Sequence, residues 1–223
     1  LQKKNSKNFF ETQFSEKNNL IPIAKRLPSK KIRIGYYSAD FYNHPMSFLL
    51  VHLFELYDKS NFEIYGFSLE NRENDDMRKR ISKTFDKFVD VSLKTDIEIA
   101  KISREFNIDI AIDLMGFTRG NKFQIFIERC APIQASYLGF PGTTGSNDID
   151  YIFADKTLIP KTSQKHYTEK IIYLPNTYQV NDSTKKISKK FFTREELGLP
   201  KDAFIFYCFN KNYKILPNVY DIW

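Results

Sequence analysis

Between Ile32 and Leu174 the chain alternates short apolar runs with stretches of helical period, and this alternation restricts the fold more than any other feature of it. About seven runs have strand character: Ile32 to Tyr37, Phe62 to Leu69, Phe88 to Ser92, Asp109 to Met115, Gln134 to Phe140, Asp150 to Asp155 and Lys170 to Leu174. Helical patterns fall between them at Ser47 to Tyr57, Arg72 to Phe85, Thr95 to Phe106 and Asn121 to Arg129. Strands that alternate with helices predict a parallel, Rossmann-like α/β sheet. Ligands of such sheets bind beyond the carboxyl ends of the strands.

The first of these strand ends is the most informative. In IRIGYYSADFYNHP the apolar Ile34-Gly35-Tyr36-Tyr37 gives way abruptly to Ser38, Asp40, Asn43 and His44. Pro45 biases His44 away from helical geometry, so the polar cluster is expected in a loop before a helix capped by Ser47. His44 is the candidate reactive side chain there. His52, inside the following apolar run, reads as a core or interface residue. The RENDDMRKR run opening the next helix reads as a solvated face, and Thr95-x-x-Glu98 is a capping box.

Asp113 interrupts an otherwise apolar strand. A buried carboxylate is costly unless it meets donors, so Asp113 reads either as a loop organiser or as a ligand contact. Further on, LGFPGTTG places three glycines and a proline in eight residues. Such a loop lets backbone approach an oxygen-rich ligand closely, although an ordinary tight turn has the same composition.

The remaining segments set the organisation. Residues 1–31 are polar and read as a connector; residues 32–180 form the first domain; residues 181–202 are a Lys-rich linker with a short helix begun by the capping box Thr193-x-x-Glu196. Residues 203–223 open a second α/β domain with the strand Ala203 to Phe209 and the polar turn Asn210 to Ile215. Because the chain starts without Met and ends soon after a new strand, it is expected to be part of a longer polypeptide.

Composition narrows the functional classes. At 42% hydrophobic over 223 residues the chain can bury a full core. The excess of 34 basic over 27 acidic residues, +7 net, suits anionic ligands. The linker lysines lack interleaved aromatics or a recognition-helix pattern, so nucleic acid is not the expected partner. No run approaches the roughly 18 to 20 apolar residues of a membrane helix, and no signal peptide opens the chain. Cys130 and Cys208, each in an apolar segment, read as buried thiols of a reducing compartment, and the expected location is cytoplasmic.

Four segments taken together, IRIGYYSADFYNHP, DLMGFTRG, APIQASYLGFPGTTGSNDIDYIFAD and YCFNKNYKI, closely resemble the catalytic region of glycosyltransferase family 41, the O-linked N-acetylglucosamine transferases with their SPINDLY-like and bacterial relatives. The resemblance runs in family order from about Ile32 to Trp223. It implies a GT-B architecture, of which this chain would hold the first Rossmann-like half and the opening strand of the second. The family often carries tetratricopeptide repeats before the catalytic region, and residues 1–31 would be the tail of such an array.

The activity implied is metal-independent, inverting transfer of a sugar, N-acetylglucosamine from UDP-GlcNAc, onto Ser or Thr of polypeptides. No cofactor is implied beyond the sugar nucleotide co-substrate, the partners being that nucleotide and an acceptor polypeptide. By resemblance His44 assists proton removal. Leu138, Gly139 and Pro141 belong to the loop that packs on the donor sugar, and Asn210, Lys211 and Lys214 to the donor-binding turn, with Lys214 on the diphosphate. Asp40, Asp113, Thr118 and Thr143 would shape the pocket. This chain departs from the pattern at Phe48 and Asp109, where relatives have histidines, and at Lys211, where a glutamine is usual. Other donors or acceptors, GDP-fucose or UDP-glucose to Asn, therefore stay open, as does a scaffold of the same fold without catalysis. A generic dinucleotide-binding fold is disfavoured, since Gly35 opens no G-x-G-x-x-G pattern. The 223 residues alone are expected to be inactive.

Overall fold

The computed structural model describes residues 2–14, 20–24 and 29–223. The chain divides into two compact units, Leu1–Thr184 and Lys185–Trp223.

The first unit is built on seven parallel strands: β1 (Ile32–Ser38), β2 (Phe62–Ser68), β3 (Lys87–Asp90), β4 (Ile110–Asp113), β5 (Ile133–Ser136), β6 (Tyr151–Ala154) and β7 (Lys170–Tyr173). Their order, β3-β2-β1-β4-β5-β6-β7, matches the expected sheet. Register is fixed by pairs such as Ile34 with Ile64 and with Ile110. The inner strands β1, β2 and β4 are largely apolar and mostly buried, being covered on both faces.

Alternation along the strands feeds two cores. Tyr37, Phe67 and Ala111 face one, with Ile99, Ile125 and Phe126 from α4 (Asp96–Glu105) and α5 (Gln124–Ile127). Ile64 and Ile112 face the other, with Leu50, Val51, Phe54 and Ile81 from α2 (Pro45–Glu55) and α3 (Asp76–Ser82). The Tyr37 ring stacks on Phe67 at 4.4 Å between centroids, and its hydroxyl shares a 2.5 Å hydrogen bond with Ser103. Each such side chain contributes about 1.5–3 kcal/mol by leaving water.

The supposed connector is partly structured. Its residues Gln2–Gln13 form a helix, α1, and the scattered Phe10 and Phe14 pack against the first core through Phe123. What lies at 15–19 and 25–28, Pro28 included, is outside the described residues.

Helix ends differ from expectation for local reasons. Helix α2 starts at Pro45 rather than after Ser47, because the Ser47 hydroxyl donates to the Asp40 carbonyl at 2.6 Å and His44 takes the cap position. The capping box at Thr95 forms with both reciprocal bonds. Helix α3 begins only at Asp76, capped by Asp75, and its RENDDMRKR run is not simply solvated. Arg78 is buried, donating to the Phe41 carbonyl at 3.1 Å, Ser68 Oγ at 3.0 Å and Asp90 at 3.1 Å.

In the second unit, Thr193 and Glu196 exchange both capping-box bonds, at 2.7 and 3.1 Å, but the chain makes turns rather than a helix before Gly198. The strand expected over Ala203 to Phe209 is unpaired, and Phe204, Phe206 and Phe209 are exposed. A strand exists through its ladder, and no other segment of this unit adopts strand geometry. Cys208 is therefore exposed, against expectation, whereas Cys130 is buried; both are free thiols. A 3₁₀ turn at Asn212–Lys214 and a short α6 (Pro217–Tyr220) complete the unit.

Candidate functional site at the sheet switch point

Strand order reverses at β1: β2 and β3 lie to one side, β4 through β7 to the other. The loops leaving β1, β4 and β5 thus share one edge of the sheet, where ligands of such folds are held.

The β1 loop is fixed from several directions. Its Asp40 N–H donates to Ser38 Oγ at 2.9 Å, and the Asn43 N–H donates to the α3 cap Asp75 at 2.7 Å. Extended backbone at His44 (φ −136°, ψ 147°), imposed by Pro45, aims its imidazole at the helix start, where Nδ1 accepts from the Met46 N–H at 3.3 Å. The same Nδ1 lies 3.6 Å from Asp40 Oδ2, and a third of the His44 side chain is exposed. Burial pushes the Asp40 carboxyl above its usual range, against the opposing pull of His44 and Arg72, while Glu70 adds to the rise.

Three residues to which the sequence assigns no site role complete this corner. The Tyr42 ring lies 5.5 Å from the His44 ring, the Arg72 guanidinium sits 4.7 Å from the Tyr42 centroid, and Glu70 pairs with Arg72. Arg72, expected on the solvated face of a helix, precedes α3 and lies over the Tyr42 ring of the loop. The only sequence signal for it was its position shortly after a strand end.

At the end of β4, Asp113 is fully buried and accepts from the Met115 N–H at 2.9 Å and the Gly116 N–H at 3.0 Å. It is a loop organiser, one of the two roles open from sequence. Burial pushes its carboxyl up to about 6, with the two N–H bonds opposing the rise. Thr118 Oγ1 donates to the Met115 carbonyl at 2.8 Å, closing the same loop.

The β5 loop lies directly on the β4 loop. Leu138 takes a left-handed conformation, φ 66°. At Gly139 the chains pass so closely that a Cβ would overlap the Leu114 carbonyl oxygen and sit 2.9 Å from its carbon. Beyond it, the Pro141 carbonyl accepts from the Tyr167 hydroxyl at 3.0 Å. Thr143 is buried and donates to Glu169 at 2.7 Å; Glu169 also accepts from the Thr144 N–H at 2.7 Å. Thr143 thus braces the loop through Glu169. Helix α1 crosses behind, its Ser6–Lys7 backbone against Gly145.

The structure therefore brings His44, Asp40, Asp113, Thr118, Leu138, Gly139 and Pro141 to one sheet edge. Asn210, Lys211 and Lys214 belong to the second unit and are exposed there; Asn210 Nδ2 donates to Cys208 Sγ at 3.4 Å, and Lys211 caps the 3₁₀ turn containing Lys214. Among the described residues no group of three or more His, Cys, Asp or Glu is arranged to hold a metal ion, and no helix is long and apolar enough to cross a membrane.

Comparison with known proteins agrees with this architecture. An Arabidopsis thaliana relative called probable UDP-N-acetylglucosamine–peptide N-acetylglucosaminyltransferase SEC is 39% identical over 208 residues, 91% of this chain and 21% of that protein. The UDP-N-acetylglucosamine–peptide N-acetylglucosaminyltransferase of Caenorhabditis elegans is 34% identical over 69% of this chain and 13% of its own length. This chain thus spans about a fifth or less of these two relatives. A solved mutant of the Thermobaculum terrenum O-GlcNAc transferase superposes with a TM-score of 0.71 at 27% identity, over 79% of this chain and 34% of that one. The model of glycosyl transferase family 41 matches residues 12–191, most of the chain, and the chain belongs to that family.

Proposed function

We propose that the protein of which this chain is part transfers N-acetylglucosamine from UDP-GlcNAc to Ser or Thr of acceptor polypeptides in the cytoplasm, with inversion and without a metal ion. The peptide N-acetylglucosaminyltransferase activity named for the plant and nematode relatives supports this choice of donor and acceptor. The observation that carries it is the convergence of the β1, β4 and β5 loops at the switch point, with His44 at the start of α2 and the Gly139 backbone against Leu114.

Inverting transfer needs the acceptor hydroxyl to attack the anomeric carbon as the nucleoside diphosphate leaves. His44 takes the acceptor proton as general base. The Leu138–Pro141 loop packs on the sugar. Without a metal, the charge growing on the diphosphate falls to the Lys214 ammonium and to N–H groups, with Asn210 and Lys211 beside it. Two free thiols accord with a reducing compartment.

The test is transfer by the full-length protein to an acceptor peptide, followed by intact mass, with a chelator present. We expect His44→Ala to lower kcat by about 10²–10⁴. Unchanged turnover would remove His44 from the reaction. Lys211, in place of the family's usual glutamine, favours a second reading in which the base or sugar differs. A panel including GDP-fucose and UDP-glucose decides between them.

A further inference from the structure

We infer that helix α1 braces the β5 loop, with Tyr167 and Phe117 as the positioning residues that pass its hold to the Leu138–Pro141 backbone. The inference rests on the reading of that loop as the contact for the donor sugar.

The loop has no regular structure of its own to fix it. The last ladder pair of β5 is Ser136 with Ile152, and from Tyr137 to Asp150 the chain forms neither strand nor helix. Leu138 holds a left-handed φ of 66°, which a residue of that bulk keeps only where its surroundings impose it. At one end Gly139 lies against the Leu114 carbonyl, and at the other Glu169 ties Thr143 and Thr144. Between these anchors stand Phe140 and Pro141, and α1 reaches both.

One route is polar. Lys3 Nζ donates to the Tyr167 carbonyl at 2.9 Å, and the Tyr167 hydroxyl donates to the Pro141 carbonyl at 3.0 Å. The other is aromatic: the Phe9 ring meets Phe117 edge-on with centroids 5.2 Å apart, and Phe117 lies 5.5 Å from Phe140, both within the favoured range for ring pairs. Just past the loop, Gly145 (φ 73°) packs so closely on α1 that a Cβ there would lie 2.6 Å from the Lys7 nitrogen. A single helix thus holds residues 140, 141 and 145.

Helix α1 depends on that docking in turn. It has 12 residues, with no acidic side chain in its first turn and no basic one in its last, and a helix so short is marginal alone in water. Phe10 and Phe14 against Phe123, and the buried Ser6, keep it in place. Helix docking and loop order therefore support each other, and such coupling is reciprocal. The β1 loop is tied separately, through Ser38 and Asp75, so loosening α1 shifts the seat of the sugar and leaves His44 where it is.

Two variants test this. Phe9→Ala removes a half-exposed ring without opening a core, and Tyr167→Phe removes only the hydroxyl that Pro141 accepts from. In the 223-residue chain, amide hydrogen exchange across residues 138–147 should be at least about fivefold faster in Phe9→Ala, with exchange across residues 38–44 unchanged. In the full-length protein each variant should lower kcat/KM for UDP-GlcNAc about tenfold while inhibition by UDP, which lacks the sugar, stays the same; Phe9→Leu should recover part of the loss. Undiminished kcat/KM for UDP-GlcNAc in Phe9→Ala, whether or not exchange or stability changes, would make α1 a stabilising helix only and overturn the inference; with Gly139→Ala crippled, the donor-sugar reading of the loop would still stand. Weaker inhibition by UDP to the same extent would also overturn it. Full turnover by Gly139→Ala would sink the loop reading and the inference together.

Discussion

Replacing Gly139 by alanine is the sharpest perturbation of the β5 loop. The added Cβ would overlap the Leu114 carbonyl oxygen, sit 2.9 Å from the carbonyl carbon and 3.5 Å from Met115 Cα, where ordinary contact begins near 3.4 Å. All three atoms are backbone, so no side chain can swing aside. Leu114 itself is held by its N–H to the Tyr37 carbonyl at 3.1 Å, within the sheet's continuation. The β5 loop must therefore lift by about 1 Å to restore carbon–carbon contact. Overpacking of this kind costs on the order of 3 kcal/mol, which for a unit of this size lowers Tm by roughly 6–12 °C. Thermal and urea unfolding of Gly139→Ala beside the unmodified chain measures it. In the full-length protein, a loop displaced by that much should also cost about 10²-fold in turnover. Stability within about 0.5 kcal/mol of the unmodified chain would refute the close approach, because a surface substitution alone has that size of effect.

Other outcomes follow from the same geometry. Asp113 has a folded value of about 6, above the ordinary 3.8, so its contribution favours folding most below pH 4 and is lost as pH rises through 6. At about 1.4 kcal/mol per unit this amounts to about 3 kcal/mol. Urea midpoints at pH 4.5 and 7 should therefore differ by less in Asp113→Asn, while Asp155 and Asp182, held low by N–H groups and by Arg80 respectively, lose their contributions only at more acid pH. Glu169→Ala strips the acceptor from Thr143 and from the Thr144 N–H and should cost on the order of 3 kcal/mol in urea unfolding. Thr95→Ala, removing a formed capping box, should cost about 1 kcal/mol by the same assay. In the full-length protein, Lys214→Ala should lower kcat/KM by about 10²–10³ if that ammonium meets the diphosphate.

Much of this arrangement was legible in the residues themselves. Period and β-branched content located all seven strands, and Thr95-x-x-Glu98 located a helix start, because both signals act over a few neighbouring residues. Asp113 was legible as an anomaly. Its role became clear only from the Met115 and Gly116 N–H groups.

What escaped was tertiary. Ser47 has the chemistry of a cap, but its hydroxyl is taken by the Asp40 carbonyl, and His44 caps instead. Arg72 and Arg78 sit in a run whose composition reads as surface, yet one lies over Tyr42 and the other is buried under the β1 loop. Phe10 and Phe14 looked scattered in a polar segment until Phe123 gave them a partner. Ala203 to Phe209 has strand composition without a ladder, since pairing is not a property of one segment. The contact between Gly139 and Leu114 joins strands distant in sequence and had no local signal beyond the glycine itself.

The most direct measurement is a crystal structure of the complete protein with UDP-GlcNAc bound. The account predicts the sugar against Leu138, Gly139 and Pro141, with the His44 imidazole within hydrogen-bond reach of the acceptor's position at the anomeric carbon, directly or through one water. A donor bound away from the β1, β4 and β5 loops, with His44 out of that reach, would contradict it.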